Sequence, residues 1–183
     1  IPELAKADPA PFGIAVATSR GRLHEIGDTR IPFTIQSVSK ALTYCMALEL
    51  VGRAEVLRRV GVEPSGDPFN AIEFDPLTRR PYNPMVNAGA IAIAGILRDV
   101  HGDGAFGAVL TRFSEAAGRP LAMNEAVYSS EAATGHRNRA IGHLLVGAGA
   151  LAEPMDSALD LYFRQCSIEV TAADLAVMGA TIA

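Results

Sequence analysis

Hydrophobic and polar positions alternate only near the start of the chain. Residues 12–18 and 22–26 are short apolar runs on either side of Ser19-Arg20-Gly21, a pattern that predicts a β-hairpin. Residues 31–36 are rich in β-branched side chains and read as extended. The period then changes. Residues 37–51 carry charge only at Lys40 and Glu49 and are otherwise largely apolar, which predicts a buried helix stopped by Gly52. A short helix over 53–60 follows and ends at Gly61. Turn formers cluster over 63–68, and prolines punctuate 69–86. That stretch reads as a long loop with one short strand at 71–74. Such loops are usually functional or disordered, and Phe69, Ile72, Leu77 and Tyr82 favour order.

The second half predicts helices. Residues 87–100 form a second buried one, whose Ala- and Gly-rich first turns let another backbone come close. Residues 104–117 are amphipathic, 123–133 read as irregular, and 137–151 as helical with Arg137 and Arg139 near the start, where the helix dipole does not favour them. Asp156 or Ser157 is expected to cap a helix running to about Cys166. Thr171 with Asp174 three residues on is the pattern of a capping box. Almost no strand signal follows Ile35. A lone hairpin is marginal in water, and three or more strands are wanted to cover so apolar a helix. The expected fold is therefore α+β and mainly helical, with an N-terminal β-hairpin and the remaining sheet strands missing. The last helix has no stop signal and the chain opens at Ile1 without a Met, so one domain over 1–183, incomplete at the C-terminus, is expected.

Composition narrows the class. The 183 residues are 49% hydrophobic and 20% charged, as in globular proteins. The net charge of -4, with no long basic run, argues against a nucleic-acid partner. The longest apolar run, 88–97, is far short of the ~20 residues that span a bilayer, so no membrane association is expected. Without a signal-peptide pattern the expected compartment is the cytoplasm. Cys45 and Cys166 both lie in apolar helical patterns and read as buried, reduced thiols; they are too few for a metal site, and no cofactor is indicated.

Candidate chemistry starts at Ser37-Val38-Ser39-Lys40. Three residues apart on a helix, Ser37 and Lys40 share a face. A neutral lysine amine can take the proton of a serine hydroxyl, and burial in the apolar 37–51 segment would push Lys40 toward neutrality. The plainer alternative is a lysine snorkelling from a core helix to solvent. Three further stretches stand out. Asn87 opens a helix, where its amide either caps the backbone or meets a substrate carboxylate. Residues 130–138 bring Glu131, His136, Arg137 and Asn138 to a loop-to-helix junction, which a solvated loop would also explain. Tyr162 lies on an apolar helix, where tyrosine is more often core than catalytic.

Together these stretches resemble the serine-dependent glutaminase family, whose fold is similar to that of the serine β-lactamases and penicillin-binding proteins. The resemblance covers the whole chain and rests on 33–40, 63–66, 83–90, 130–141 and 161–171. It implies Ser37 as nucleophile and Lys40 as base, with Ser37, Asn87, Glu131, Asn138 and Tyr162 binding substrate. It also implies hydrolysis of the L-glutamine side-chain amide to L-glutamate and ammonia, in a homodimer or homotetramer. Free glutamine carries an α-ammonium that wants a carboxylate such as Glu131, and an α-carboxylate that wants amide and hydroxyl donors. The family pattern also has a tyrosine before the position of Ile1 and a C-terminal segment with further strands, which this chain lacks. A different Ser-Lys acyl-transfer enzyme and a non-catalytic module are the alternatives; β-lactams carry no α-ammonium for Glu131 to read.

Overall fold

The computed structural model describes residues 1–183. Its centre is α2 (Asn87–His101), in which every residue from Asn87 to Leu97 is buried. Small side chains make this burial compatible with close neighbours: a Cβ on Gly89 would lie 2.0 Å from the Asn83 carbonyl oxygen, so the incoming loop can pass only because that position is glycine. Fully burying side chains such as Ile91, Ile93, Ile96 and Leu97 stabilises the fold by about 1.5–3 kcal/mol each.

On one side of α2 lies α1 (Ser39–Arg59). The two expected helices are both present along this stretch, parted at Gly52, whose φ of 77° and ψ of 162° are non-helical and disfavoured for side chains with a Cβ. Burial is concentrated in the first turns, at Ser39, Lys40, Leu42, Thr43, Met46 and Ala47. Farther along, Leu50 is exposed and Glu49 pairs with Arg112 at 2.7 Å, so the helix is less enclosed than its composition suggests. On the other side lies α6 (Met155–Cys166), with α3 (Ala105–Ala117) and α5 (His136–Gly147) completing the packing.

The 123–133 stretch is not irregular: Glu125–Thr134 forms α4, capped by Asn124, whose Oδ1 accepts the Val127 N–H at 2.9 Å. Arg139 donates to the carbonyl of Ala132, at the negative end of α4, which gives that arginine a favourable place despite its own helix start. Neither Asp156 nor Ser157 caps α6; the Ser157 hydroxyl donates to the Pro154 carbonyl instead. The last helix, α7 (Ala172–Ala180), has both arms of the expected Thr171–Asp174 capping box.

The hairpin pairs β1 (Gly13–Ala17) with β2 (Leu23–Gly27), Gly13 opposite Gly27 and Ala17 opposite Leu23. β1 packs against α7 while Ile14 and Val16 remain exposed. No strand forms at 71–74; the loop is ordered instead by bonds such as Gly61 N–H to the Pro81 carbonyl and Glu63 N–H to the Tyr82 carbonyl, both 2.9 Å. A pairing absent from the sequence pattern joins β3 (Phe33–Thr34) to β4 (Glu169–Val170). It continues as the Ile35 N–H donates to the Ile168 carbonyl at 2.8 Å, clamping the chain just before Ser37. The result is the expected mainly helical α+β fold, with one core of 33 buried hydrophobic residues. No helix is long and apolar enough to cross a membrane.

Candidate functional site

The clamp between β3 and β4 delivers the chain into a tight 3-10 turn, Gln36–Val38, and then into α1. Ser37 therefore sits on the turn, exposed, rather than inside the α-helix, while Lys40 is the second residue of α1 and buried. Gln36, immediately before Ser37, has φ of 49°, a strained value for a residue with a side chain.

Ser37 opens into a cleft of about 450 Å³. Asn87 reaches it from the start of α2, Glu131 from α4, Asn138 from the first turn of α5 and Tyr162 from α6. Five of the six expected site residues thus line one cavity, and Lys40 lies beneath it. Gln36, Phe69, Asn70, Arg137 and Cys166 line it as well. Phe69 and Asn70 belong to the long loop whose length already hinted at function, and Arg137 to the charged 130–138 junction; nothing in the local pattern of Gln36 pointed to the cleft.

Lys40 is 2% exposed. Its Nζ donates to Asn87 Oδ1 at 2.7 Å and to the Met85 carbonyl at 3.1 Å; neither bond goes to Ser37. The Phe69 ring centroid is 5.3 Å from Nζ. Burial holds the Lys40 pKa below its ordinary value, although the nearby Cys166 and Glu131 oppose this. Asn87 does not cap α2, whose N-cap is Val86. Its amide is occupied on both sides: Oδ1 accepts from Lys40, and Nδ2 donates to Asn138 Oδ1 at 3.1 Å. Lys40, Asn87 and Asn138 form a hydrogen-bonded chain from the buried amine to the cleft wall.

Glu131 is 5% exposed, and its Oε2 is buried without a partner. Burial pushes its carboxyl up to about 7. Tyr162 is both core and lining: 2% exposed, with burial raising its phenol well above the usual range. Cys166 is a free, buried thiol pushed up to about 12 by the same cause, consistent with a packing role.

The fold and cleft define an α+β protein of the β-lactamase-like class. The chain is similar to the crystal structure of Mglu in its glutamate form, with a TM-score of 0.91 and 41% identity over 100% of this chain and 42% of that one. To the probable glutaminase ybaS the TM-score is 0.93 at 36% identity, over 100% of this chain and 59% of that one. A family model described as Glutaminase matches residues 1–183, and the chain belongs to that family. It is 55% identical to Glutaminase 2 of Bradyrhizobium diazoefficiens, over 100% of this chain and 29% of that protein. It is 48% identical to the glutaminase of a Nostoc species, over 100% of this chain and 55% of that protein. The chain thus spans between under a third and just over half the length of these relatives.

Proposed function

We propose that the protein is a glutaminase, hydrolysing the side-chain amide of L-glutamine through an acyl-enzyme on Ser37 with Lys40 as base. The observation that carries this is the unpartnered Glu131 oxygen in the cleft that holds Ser37. A buried carboxylate without a partner costs stability, and an α-ammonium supplies the missing donors as a charge-assisted bond. Asn138 and Tyr162 are the donors proposed for the α-carboxylate, with Asn87 holding the wall between them and Lys40.

With the substrate anchored at its α-carbon, its carboxamide extends toward Ser37. The neutral form of Lys40 has two hydrogens, matching its two acceptors, Met85 O and Asn87 Oδ1. Its lone pair is then free to take the Ser37 proton. The Ser37 Oγ attacks the carboxamide carbon, and the oxyanion of the tetrahedral intermediate takes a hydrogen bond from the Ser37 N–H. Lys40 returns the proton to the leaving nitrogen, releasing ammonia and a γ-glutamyl ester. Water, deprotonated by Lys40, then attacks the ester, and Ser37 recovers its proton as glutamate leaves. Residues 1–183 are taken as one domain, in keeping with the single core, and the assembly as a homodimer or homotetramer.

The test is ammonia release from L-glutamine and L-asparagine by the protein and by Ser37→Ala. Turnover of glutamine, little turnover of asparagine and loss in Ser37→Ala are expected. Full activity in Ser37→Ala would overturn the acyl-enzyme.

A further inference from the structure

Behind Ser37 stands one polar side chain that the chemistry above does not use. Gln165, on α6, is fully buried. Its Nε2 donates to Ser39 Oγ at 3.3 Å, and Ser39 Oγ donates to the Gln36 carbonyl at 2.6 Å. A hydroxyl has one proton, and that of Ser39 is committed to Gln36. Ser39 can therefore only accept from Gln165, which fixes the amide with its nitrogen toward Ser39. The other end, Oε1, is then buried without a partner. An apolar side chain of the same size would avoid that orphan oxygen, so stability alone does not favour an amide here.

The carbonyl at the end of this chain is mechanically important. The Gln36 carbonyl and the Ser37 N–H belong to one planar peptide unit, so fixing the first orients the second. That carbonyl is held twice, by the Ser39 hydroxyl and by the Ser39 N–H, in a residue whose φ of 49° would otherwise relax. We propose that Gln165 is a positioning residue for acyl transfer: through Ser39 it holds the Gln36–Ser37 peptide so that the Ser37 N–H and hydroxyl face the substrate. This rests on the assignment of Ser37 as nucleophile. Gln165 touches no substrate, and its effect belongs to kcat rather than to binding.

The experiment measures kcat, KM and melting temperature for the protein, Gln165→Met and Ser37→Ala. Removing an oxyanion donor outright typically costs about 10²–10³ in kcat, so misaiming one is expected to cost about ten- to a hundredfold. In Gln165→Met, KM should stay within about twofold and the melting temperature should hold or rise as the orphan oxygen disappears. Lower kcat with equal or higher stability is a combination that a purely structural residue does not produce. Should Gln165→Met melt below the assay temperature, Ser39→Ala cuts the same link from the other side and is read by the same criteria. Unchanged kcat in the folded variant, with activity lost in Ser37→Ala, overturns this inference alone. Activity retained in Ser37→Ala overturns the nucleophile assignment and this inference with it.

Discussion

Glu131 and Asp174 are equally buried, each 5% exposed, yet their charges are treated in opposite ways. Arg119 donates to both carboxylate oxygens of Asp174, from Nε at 2.8 Å and from Nη2. Thr171 adds its N–H at 2.7 Å and its hydroxyl at 2.9 Å. Burial alone would raise the Asp174 pKa, but these partners hold it below the usual carboxylate range, while Asp174 raises the Arg119 guanidinium. Both members of that pair are pushed further into their charged forms. In the cleft the direction reverses. Burial raises Glu131 to about 7 and lowers Lys40, so each moves toward neutrality. Asp174, which serves the fold, is satisfied by its own chain; Glu131 Oε2 is buried without a donor, and that donor is what the proposed substrate ammonium would supply.

The contrast is broken most severely at Lys40. Lys40→Arg keeps a cation there permanently, since guanidinium does not release its proton. Losing a general base costs about 10²–10⁴ in rate, and steady-state ammonia release should fall by at least that much while the variant stays folded. Retention of most of kcat would remove Lys40 as the base.

Stability against pH separates the two carboxylates by sign. For Glu131 the unfolded pKa is about 4.3. The folded state therefore binds more protons between there and its folded value of about 7, and stability declines as pH rises through that window, by up to roughly 3–4 kcal/mol. For Asp174 the folded pKa is the lower one; its stabilisation is complete above an unfolded value of about 3.9 and is lost as pH falls through the folded value. Melting curves across pH 3–8 should show Glu131→Gln flattening the near-neutral decline and Asp174→Asn flattening the acid limb. An unchanged near-neutral slope in Glu131→Gln would mean that Glu131 is not raised.

Glu131→Gln keeps shape and removes charge. A hydrogen bond to a charged group is worth about 1.5–3 kcal/mol, so kcat/KM for L-glutamine should drop roughly ten- to a hundredfold, with stability at pH 7.5 unchanged or higher. An equal loss for an Nα-acetylated substrate would show that Glu131 does not read the ammonium. Asp174→Asn should give the mirror result: about 1–2 kcal/mol of stability lost with the helix cap, and kinetics of the folded protein unchanged. A matching fall in kcat/KM would join the two sites that the contrast separates.

Much of this arrangement could be read from local pattern. The burial of Lys40 follows from its apolar flanks, the α7 capping box from Thr171 and Asp174, and the small-residue approach at Gly89 from the Ala- and Gly-rich start of α2. What escaped depends on distance along the chain. Asn87 looked equally like a cap, because its real partners, Lys40 and Asn138, lie 47 and 51 residues away. The β3–β4 pairing is only two residues long on each side and has no periodicity to detect. In α4 the polar Ser129, Ser130 and Glu131 interrupt the apolar stripe, so the cap at Asn124 was the one local sign of a helix. Arg119 reaches Asp174 across 55 residues, and that partner decides which buried carboxylate is satisfied.

The proposed glutaminase reading rests on Glu131 taking up the substrate's α-ammonium. Its most direct test is a carbon-detected NMR titration of the Glu131 carboxyl, assigned by comparison with Glu131→Gln, in the free protein and with saturating L-glutamate. The expected result is a pKa of about 7 in the free protein, falling into or below the ordinary carboxylate range once the ligand's α-ammonium is in place. A free-state pKa already in the ordinary range, or one that L-glutamate leaves unmoved, would rule out Glu131 as the ammonium site.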